Sequence, residues 1–383
     1  MSIAIVTVGY NRPDSMLRLL ESIGDADYGN DRVDLVVSID KGLRQDEIIK
    51  VAEEFIWKKG EKIIRAFPER QGLRPHGLQC GDLTKQYDAV IVLEDDITVS
   101  CGFYDYVKQC IEFYGNDDRI SGISLYKHRL NPGNGRPFEP AEDGNDVYFM
   151  QMAQSWGQCW TRKMWNGFKS WYENNQGKIK QSADFPAYIT AWDDRSWMKY
   201  YDKYDVEMDK FHVYPYKALS TNHSETGEHS IMTNNAYQVP LLEGKMNYRL
   251  PELESGIKYD IFFERIGLSG GVLAELNGKV LMDLQGLRSN YGDADYLIST
   301  RVLPFKVIKT IQLEYRPIEV NCIKQVEGKG IRVYDLKCAA SKKGNKAHIL
   351  RYDRRGLRWK NAFLLGYFDF LNDVKRKIYK LIK

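Results

Sequence analysis

The chain has 383 residues, of which 43% are hydrophobic and 28% are charged, and its formal net charge is +3. That length fits two domains with appendages, and that composition excludes a disordered chain. The six cysteines form no CxxC pair and show no repeated spacing, which favours reduced thiols over a disulfide framework or a zinc site.

The N-terminal stretch MSIAIVTVGYNRP has no basic region ahead of its short apolar run, so it is unlike a signal peptide. No run in the sequence approaches the length of about 18 apolar residues that a membrane-spanning helix requires. We therefore expect a cytoplasmic protein.

Strands alternate with helices over the first part of the chain. Apolar, β-branched runs predict buried strands at 2–8, 33–40, 61–67 and 87–96. Apolar residues at helical spacing predict helices at 15–23 and 45–60. This alternation indicates a doubly wound, Rossmann-like α/β sheet, in which ligands bind beyond the carboxyl ends of the strands.

Polar side chains follow three of these strands: Asn11 and Arg12, Asp40, and the triplet Glu94-Asp95-Asp96. Three crowded carboxylates repel one another, and a divalent cation such as Mn²⁺ or Mg²⁺ relieves that repulsion and can hold a diphosphate. The alternative is that these acids cap a helix or are simply solvated. The absence of GxGxxG and GxxxxGK[ST] disfavours a Rossmann dehydrogenase and a P-loop protein.

These residues resemble those of the GT-A nucleotide-sugar glycosyltransferases, and more narrowly the N-acetylglucosaminyltransferase I type, which carries a Glu-Asp-Asp triplet. QSWGQCWTRKMWNGF (154–168) resembles the family's acceptor-side segment, and YITAWDDRSWMKYY (188–201) resembles the segment with the catalytic base. STNHSETGEHS (220–230) is similar to loops of bacterial surface-polysaccharide transferases. The resemblance covers about residues 1–235 and implies a GT-A domain over 1–240.

The resemblance also implies roles for single residues. Asp96 would bind the metal, Asp95 the ribose or a metal-bound water, and Glu94 the donor sugar hydroxyls. Asp40 would accept from the uracil or the ribose, and Arg12 would lie near the nucleotide. Asp193 would be the general base of an inverting transfer, with Asp194 as the less favoured neighbour.

Other candidates are weaker. His223 would hydrogen-bond the donor phosphates and His229 would add a metal ligand, unless the loop that carries them is plain surface. Trp156 and Trp160 would form a stacking platform for a sugar ring, with a place in the core as the alternative for both. Gly72 and His76 are candidates to lie near the nucleotide.

The C-terminal third has a different texture. Short alternating segments joined by turns such as LNGK predict a mostly antiparallel β domain over 245–345, which we interpret as an accessory binding or oligomerisation module. The tail 351–383 has ten Lys or Arg against three Asp or Glu and apolar residues at helical spacing. It predicts a basic amphipathic helix for an anionic membrane interface, with a docked helix or a dimer contact as the alternatives. No nucleic-acid-binding pattern accompanies it.

Together these features predict an inverting, metal-dependent glycosyltransferase. It would move a sugar from a nucleotide sugar, with UDP favoured, to a glycan acceptor, lipid-linked in surface polysaccharide synthesis, at the inner face of the membrane. Two alternatives remain: a nucleotidyltransferase with a similar α/β core, and a non-catalytic glycan-binding protein with a degenerate transferase fold.

Overall fold

The computed structural model describes residues 1–225, 235–354 and 358–382. Ten strands of these residues form one mixed sheet, in the order β12-β11-β7-β9-β6-β8-β4-β1-β2-β3. Their bounds are β1 Ile3–Gly9, β2 Asp34–Ile39, β3 Lys62–Ala66, β4 Ala89–Glu94, β6 Ile120–Ser124, β7 Val147–Met150, β8 Gln158–Thr161, β9 Phe211–Pro215, β11 Lys258–Tyr259 and β12 Arg265–Ile266.

Beside this sheet lies a two-stranded antiparallel ribbon of β5 Ile97–Val99 and β10 Ser220–Asn222. The longer helices around the sheet are α1 Pro13–Gly24, α2 Gln45–Glu54, α3 Leu73–Gly81, α4 Phe103–Tyr114, α5 Arg162–Asn174 and α7 Met198–Glu207. A short 3₁₀ turn, Asp82–Lys85, follows α3, and the single-turn helix α6 Ala187–Thr190 precedes α7.

The four strands β4-β1-β2-β3 are parallel throughout, and Val6 of β1 lies between Val36 of β2 and Val92 of β4. Strands β1, β2 and β4 are buried on both faces, which is why their sequences are mostly apolar, whereas the edge strand β3 is only partly buried. Helix α1 covers them with the apolar stripe Met16, Leu19, Leu20 and Ile23, all buried. The α/β class predicted from the sequence is confirmed, and the carboxyl ends of β1, β2 and β4 lie at one edge.

The other half of the sheet is mixed in direction. β8 runs antiparallel to β4, β6 antiparallel to β8, and β9 parallel to β6. β7 pairs antiparallel with β9, and the short hairpin β11–β12 completes the edge through a parallel pairing of β11 with β7.

The hairpin ties the C-terminal third to the N-terminal core. Leu253, Ile257, Tyr259, Phe262 and Phe263 are buried in the same apolar cluster as β1 and β4. The packing unit built around the ten-stranded sheet therefore extends to about Ile266, past the predicted boundary at residue 240.

A second, four-stranded sheet follows in the order β13-β14-β16-β15. Its strands are β13 Val280–Asp283, β14 Tyr296–Ser299, β15 Phe305–Gln312 and β16 Gly330–Ala339, with the short helices α8 Val272–Glu275 and α9 Val320–Lys324. Two of its three pairings are antiparallel, but β13 and β14 are parallel. The predicted strand before the LNGK turn is helix α8 instead.

The tail contains two helices, α10 Ala347–Asp353 and α11 Trp359–Ile382. Helix α10 is held at the junction of the two sheets, because Arg136 donates to Asp353 at 2.8 Å and the Arg316 guanidinium lies 4.2 Å from the Tyr352 ring centroid. None of the helices in the described part of the chain has the length and apolar content needed to cross a membrane.

Candidate functional site

The acidic triplet lies where β4 ends. Glu94 is the last residue of β4, and the Asp95 amide donates to the Val8 carbonyl of the neighbouring strand β1 at 3.1 Å. Asp95 and Asp96 then form the turn into β5. Helix α1 begins beside this turn, with Arg12 as its N-cap residue. The parallel pairing of β1 with β4 thus brings together side chains that are far apart in the sequence.

Arg12 contacts two of the three acids. Its guanidinium pairs with the Asp95 carboxylate, and its Nη1 lies 3.3 Å from Asp96 Oδ2. The positive charge of Arg12 relieves part of the repulsion between the carboxylates, a role that was expected of a metal ion. One arginine does not balance three carboxyl groups, so the cluster still favours either a further cation or a bound proton.

The pKa values show where a proton is held. Burial raises the pKa of Glu94 to about 8, with a further contribution from the negative charge of Asp96. Burial also raises the pKa of Asp95 to about 6, although Arg12 acts in the opposite direction. At neutral pH Glu94 is therefore mostly protonated, and its carboxyl can donate a hydrogen bond as well as accept one.

Asp96 has an oxygen available for a ligand. Its Oδ1 is shielded from solvent and has no hydrogen-bond partner among the described residues. Those residues contain no group of three or more His, Cys, Asp or Glu side chains placed to hold a metal. Mg²⁺ commonly takes only one or two protein carboxylates and completes its shell with phosphate oxygens and water. A single open oxygen on Asp96 fits that pattern.

His223 is held against the triplet by the ribbon. Its backbone amide donates to the Asp96 carbonyl at 2.9 Å, and its ring Nε2 lies 2.8 Å from Thr98 Oγ1. Burial and the nearby positive charge of Arg18 lower the pKa of His223, which keeps the imidazole neutral at physiological pH. The predicted metal ligand His229 lies outside the described residues.

A cluster that the sequence analysis missed lies next to the triplet. Arg18 of α1 donates to Glu225 Oε1 at 2.6 Å, and the Ser15 hydroxyl contacts the other Glu225 oxygen. A sequence pattern could have indicated this cluster. Arg12, the N-cap residue of α1, is followed at intervals of three by Ser15 and Arg18, which places the three side chains on one side of the helix.

Asp40 is fully engaged with the backbone. It is buried, and its carboxylate accepts from the amides of Lys41, Gln71 and Gly72 at 2.7–2.9 Å. These bonds fix the turn that precedes α3, where Gly72 adopts a φ of 80°. The sequence analysis did not foresee this structural role, and contact with a base or ribose stays a prediction.

His76 belongs to the core beneath that turn. The ring is buried, its Nε2 lies 2.7 Å from Ser38 Oγ, and burial lowers its pKa to about 4. In this environment His76 is neutral, and it stabilises the packing of α3 on the sheet.

The two tryptophan candidates have different environments. Trp160 has no exposed surface and packs against Trp165 at 4.7 Å between ring centroids, so it is a core residue. Trp156 is half-buried between Tyr126 and Tyr237, at 4.8 and 4.7 Å. The adjacent Ser155 side chain hydrogen-bonds to Glu94, which places this segment beside the triplet. Only Trp156 keeps surface for a ligand.

The predicted catalytic base lies in an exposed turn between α6 and α7. The Asp193 side chain is 46% exposed and makes a two-pronged pair with Arg195, with Nε and Nη2 at 3.0 and 2.8 Å from Oδ2. Asp194 pairs instead with the buried Lys199 at 2.8 Å, and the hydrogen bond from that lysine lowers its pKa. Each acid is thus held by a basic side chain, Asp193 by Arg195 and Asp194 by Lys199, and the choice of Asp193 as the base stays a prediction.

No family model and no curated protein matches this chain. Among solved structures, S. aureus TarS is 12% identical with a TM-score of 0.35, and the alignment covers 57% of this chain and 36% of TarS. TarS 1–349 in complex with UDP-GlcNAc is 14% identical with a TM-score of 0.38, over 60% of each chain. The mannosyltransferase PcManGT from Pyrobaculum calidifontis, in complex with GDP-Man and Mn²⁺, is 13% identical with a TM-score of 0.30, over 47% of this chain and 48% of that one.

This chain therefore spans less than two thirds of each of these structures. At such identities and TM-scores the likenesses carry no argument about activity.

Proposed function

We propose that this protein is a metal-dependent glycosyltransferase that uses a nucleotide-sugar donor. The observation that carries the proposal is Oδ1 of Asp96, which is buried and has no hydrogen-bond partner among the described residues. It lies at the carboxyl ends of β1 and β4, near Arg12 and Arg18. Such an edge is where a doubly wound sheet binds its ligand. The resemblance of the triplet and of the Trp-Asp segment to GT-A enzymes supports the same conclusion.

The donor's diphosphate would lie at the start of α1, where Arg12 and Arg18 supply positive charge. Asp96 would hold Mn²⁺ or Mg²⁺ through Oδ1, and His229 is the second metal ligand that we propose. When bound, such a cation neutralises negative charge on the leaving nucleoside diphosphate. The sheet edge beyond β2, near Asp40, would receive the nucleoside, for which we favour UDP.

Glu94 would orient the donor sugar. With its raised pKa it can donate a hydrogen bond to one sugar hydroxyl while its other oxygen accepts from a second one. Asp95 would contact the ribose or a metal-bound water, and the neutral ring of His223 would hydrogen-bond a phosphate oxygen. The half-buried Trp156, next to Ser155 on Glu94, would stack against a sugar ring.

The chemical step would be an inverting displacement. Asp193 would take the proton of the acceptor hydroxyl as that oxygen attacks the anomeric carbon, and the bond to the diphosphate would break on the opposite face. The Arg195 guanidinium donates to both oxygens of Asp193, to Oδ1 through Nε and to Oδ2 through Nε and Nη2, and would have to release one of them to the acceptor.

The acceptor that we propose is a lipid-linked glycan in surface polysaccharide synthesis, reached through the tail. Helix α11 exposes large apolar side chains, with Trp359 68% and Phe363 74% exposed, together with Leu364, Tyr367 and Phe370. The segment from 351 to 383 carries a net charge of +7. Exposed aromatic residues combined with excess positive charge favour an anionic lipid surface at the inner face of the membrane over an aqueous environment.

The decisive experiment is a donor panel. UDP-, GDP- and CMP-sugars would be incubated with the full chain, with and without Mn²⁺, and both thermal stabilisation and donor hydrolysis would be measured. We expect one nucleotide class, UDP, to stabilise the protein and one of its sugars to be hydrolysed when Mn²⁺ is present. Release of pyrophosphate from a sugar phosphate and a nucleoside triphosphate would indicate a nucleotidyltransferase. Glycan binding without nucleotide binding would indicate a lectin-like protein.

A further inference from the structure

The guanidinium of Arg18 has only part of its hydrogen-bonding capacity satisfied by Glu225. Arg18 uses Nη1 to reach Glu225 at 2.6 Å, whereas its Nε and Nη2 are shielded from solvent and contact no acceptor in residues 1–225, 235–354 or 358–382. Glu225 in turn divides its two oxygens between Arg18 and Ser15. Arginine and a carboxylate usually meet through two parallel hydrogen bonds, and this pair does not.

Another arginine in the same protein shows the usual arrangement. On α2, Arg44 donates to both oxygens of Glu47 through Nε and Nη2, at 2.8 and 2.7 Å. Arg18 has the same two nitrogens without a partner in the described part of the chain. Buried N–H groups without an acceptor are costly, and an unfilled guanidinium edge is therefore a signal for a missing anion.

The pair lies within electrostatic reach of the triplet. Helix α1 is fixed against the ribbon because the Val99 amide donates to Ser22 Oγ at 3.3 Å, one turn beyond Arg18. Glu225 follows His223 by two residues, and the His223 amide donates to the Asp96 carbonyl at 2.9 Å. The unfilled edge of Arg18 therefore belongs to the same site as the open oxygen of Asp96.

We propose that Arg18 binds a phosphate group of the donor through Nε and Nη2, and that Glu225 is a built-in competitor that weakens this binding. This inference rests on the proposed function and adds two residues to it. Two oxygens of one phosphate match the geometry of the unfilled guanidinium edge. The Glu225 carboxylate occupies Nη1 and places a negative charge next to that phosphate, so removal of the charge should improve binding.

The two partners should therefore have opposite effects. Calorimetric titration of the full chain with UDP alone, without metal, should show affinity reduced about tenfold or more in Arg18→Gln, the loss expected for one charge-assisted hydrogen bond. Arg18→Lys should recover only part of it, because an ammonium lacks the fork. Glu225→Gln should bind UDP several-fold more tightly than the wild type. The double variant Arg18→Gln/Glu225→Gln should bind UDP more weakly than Glu225→Gln alone, because Arg18 is the group that binds the phosphate.

A matched control is the Arg119–Glu254 pair, in which Arg119 immediately precedes β6. Arg119→Gln and Glu254→Gln should leave UDP affinity unchanged. Unaltered affinity in Arg18→Gln, or weaker binding in Glu225→Gln with an unchanged melting temperature, would overturn the inference while leaving the proposed function intact. Should the wild type bind neither UDP nor GDP, the proposed function fails, and the same variants titrated with inorganic pyrophosphate decide the inference. Absence of pyrophosphate binding would reject it too.

Discussion

The backbone amide of His223 donates a hydrogen bond of 2.9 Å to the carbonyl oxygen of Asp96. It continues the ribbon in which Asn222 lies opposite Ile97. The turn that carries the acids is therefore held on one side by β1, through Asp95 and Val8, and on the other by the strand that precedes His223. A rigid turn keeps Asp96 Oδ1 in place without a ligand, which is the condition for a preorganised cation site.

Asp96→Ala should abolish the part of UDP binding that depends on Mn²⁺, because it removes the open oxygen proposed to hold the ion. The fold should persist, since Oδ1 makes no hydrogen bond within the described residues and Oδ2 makes only the 3.3 Å contact with Arg12, which keeps its pairing with Asp95. Calorimetry with UDP and Mn²⁺ measures the effect. Glu53→Ala, an exposed acid on α2, is the control that removes one negative charge elsewhere. Equal affinity of Asp96→Ala and wild type for UDP–Mn²⁺ would contradict the metal assignment.

Asp193→Asn should reduce sugar transfer by about 10²-fold or more, the usual scale for loss of a general base, with little change in donor affinity. The substitution keeps the shape of the side chain and removes its basicity. Initial rates and UDP affinity would be measured side by side for Asp193→Asn and Asp194→Asn. A large loss in Asp194→Asn alone would show that the base is the neighbour that pairs with Lys199.

His76 should make the protein sensitive to acid. Its pKa is lowered from its ordinary value to about 4 by burial, so its contribution to stability is complete above the unfolded-state value of about 6.5 and is lost as the pH falls toward 4. Between pH 7 and 4.5 this histidine should cost about 2 kcal/mol of the free energy of unfolding.

Urea denaturation at both pH values would compare the wild type with His76→Gln, which keeps a polar group near Ser38 but does not titrate. The variant should lose less stability than the wild type over this range. Equal losses would show that His76 has the same pKa in the folded and the unfolded chain.

A chain cut at the predicted domain boundary, residue 240, should not fold stably. It lacks Leu253, Ile257, Tyr259, Phe262 and Phe263, which are buried in the N-terminal core and contribute roughly 1.5–3 kcal/mol for each large apolar side chain. A chain ending after Ile266 should retain this packing. Solubility and cooperative thermal unfolding of the two fragments test the difference, and a cooperative 1–240 fragment would show that the boundary predicted from the sequence is right.

Removal of residues 358–383 should abolish binding to vesicles that contain phosphatidylglycerol, while activity on a short soluble acceptor persists. The cut spares α10, whose Asp353 and Tyr352 hold the junction of the two sheets. Flotation at low and high salt measures binding, because the electrostatic part is screened over about 10 Å at 0.1 M. A full-length chain that fails to float at low salt rejects the membrane role. A lower melting temperature after truncation would instead favour a docked helix.

The centre of the parallel half was predictable because β1, β2 and β4 are buried on both faces. The predicted strands at 2–8 and 33–40 agree within one residue with Ile3–Gly9 and Asp34–Ile39. The mixed half was not predictable in this way. The order of β6, β7, β8 and β9 depends on pairings between segments that are distant in the sequence. Local hydrophobic periodicity does not predict such pairings.

The segment before the LNGK turn shows a second limit. GVLAEL has apolar residues at a spacing that suits a short strand or one turn of helix, and the structure has helix α8 at Val272–Glu275. A run this short cannot be assigned by periodicity. The choice is made by packing, since Val272 is buried against Cys322 and Ile298 of the second sheet.

At the site, the acids and Arg12 were identified from the sequence, whereas Arg18 and Glu225 were not. A run of three carboxyl groups after an apolar strand is visible in the chain itself, and so is Arg12 after β1. Arg12 contacts Asp95 and Asp96, and Arg18 contacts Glu225. These contacts join segments that are distant in the sequence and meet only in the folded protein. Asp40 likewise accepts hydrogen bonds from three backbone amides, and no local sequence pattern predicts these contacts.

The pairing of β11 with β7 also bears on how the protein is made. The ribosome delivers β7 long before β11, so a growing chain first presents the outer edge of β7 with unpaired backbone groups. Such an edge is a template for pairing with a neighbouring chain. The hairpin of Lys258–Tyr259 and Arg265–Ile266 covers that edge when it emerges, and leaves in its place a rim strand only two residues long. Messenger truncation or ribosome stalling between the two strands would therefore release a species prone to aggregation.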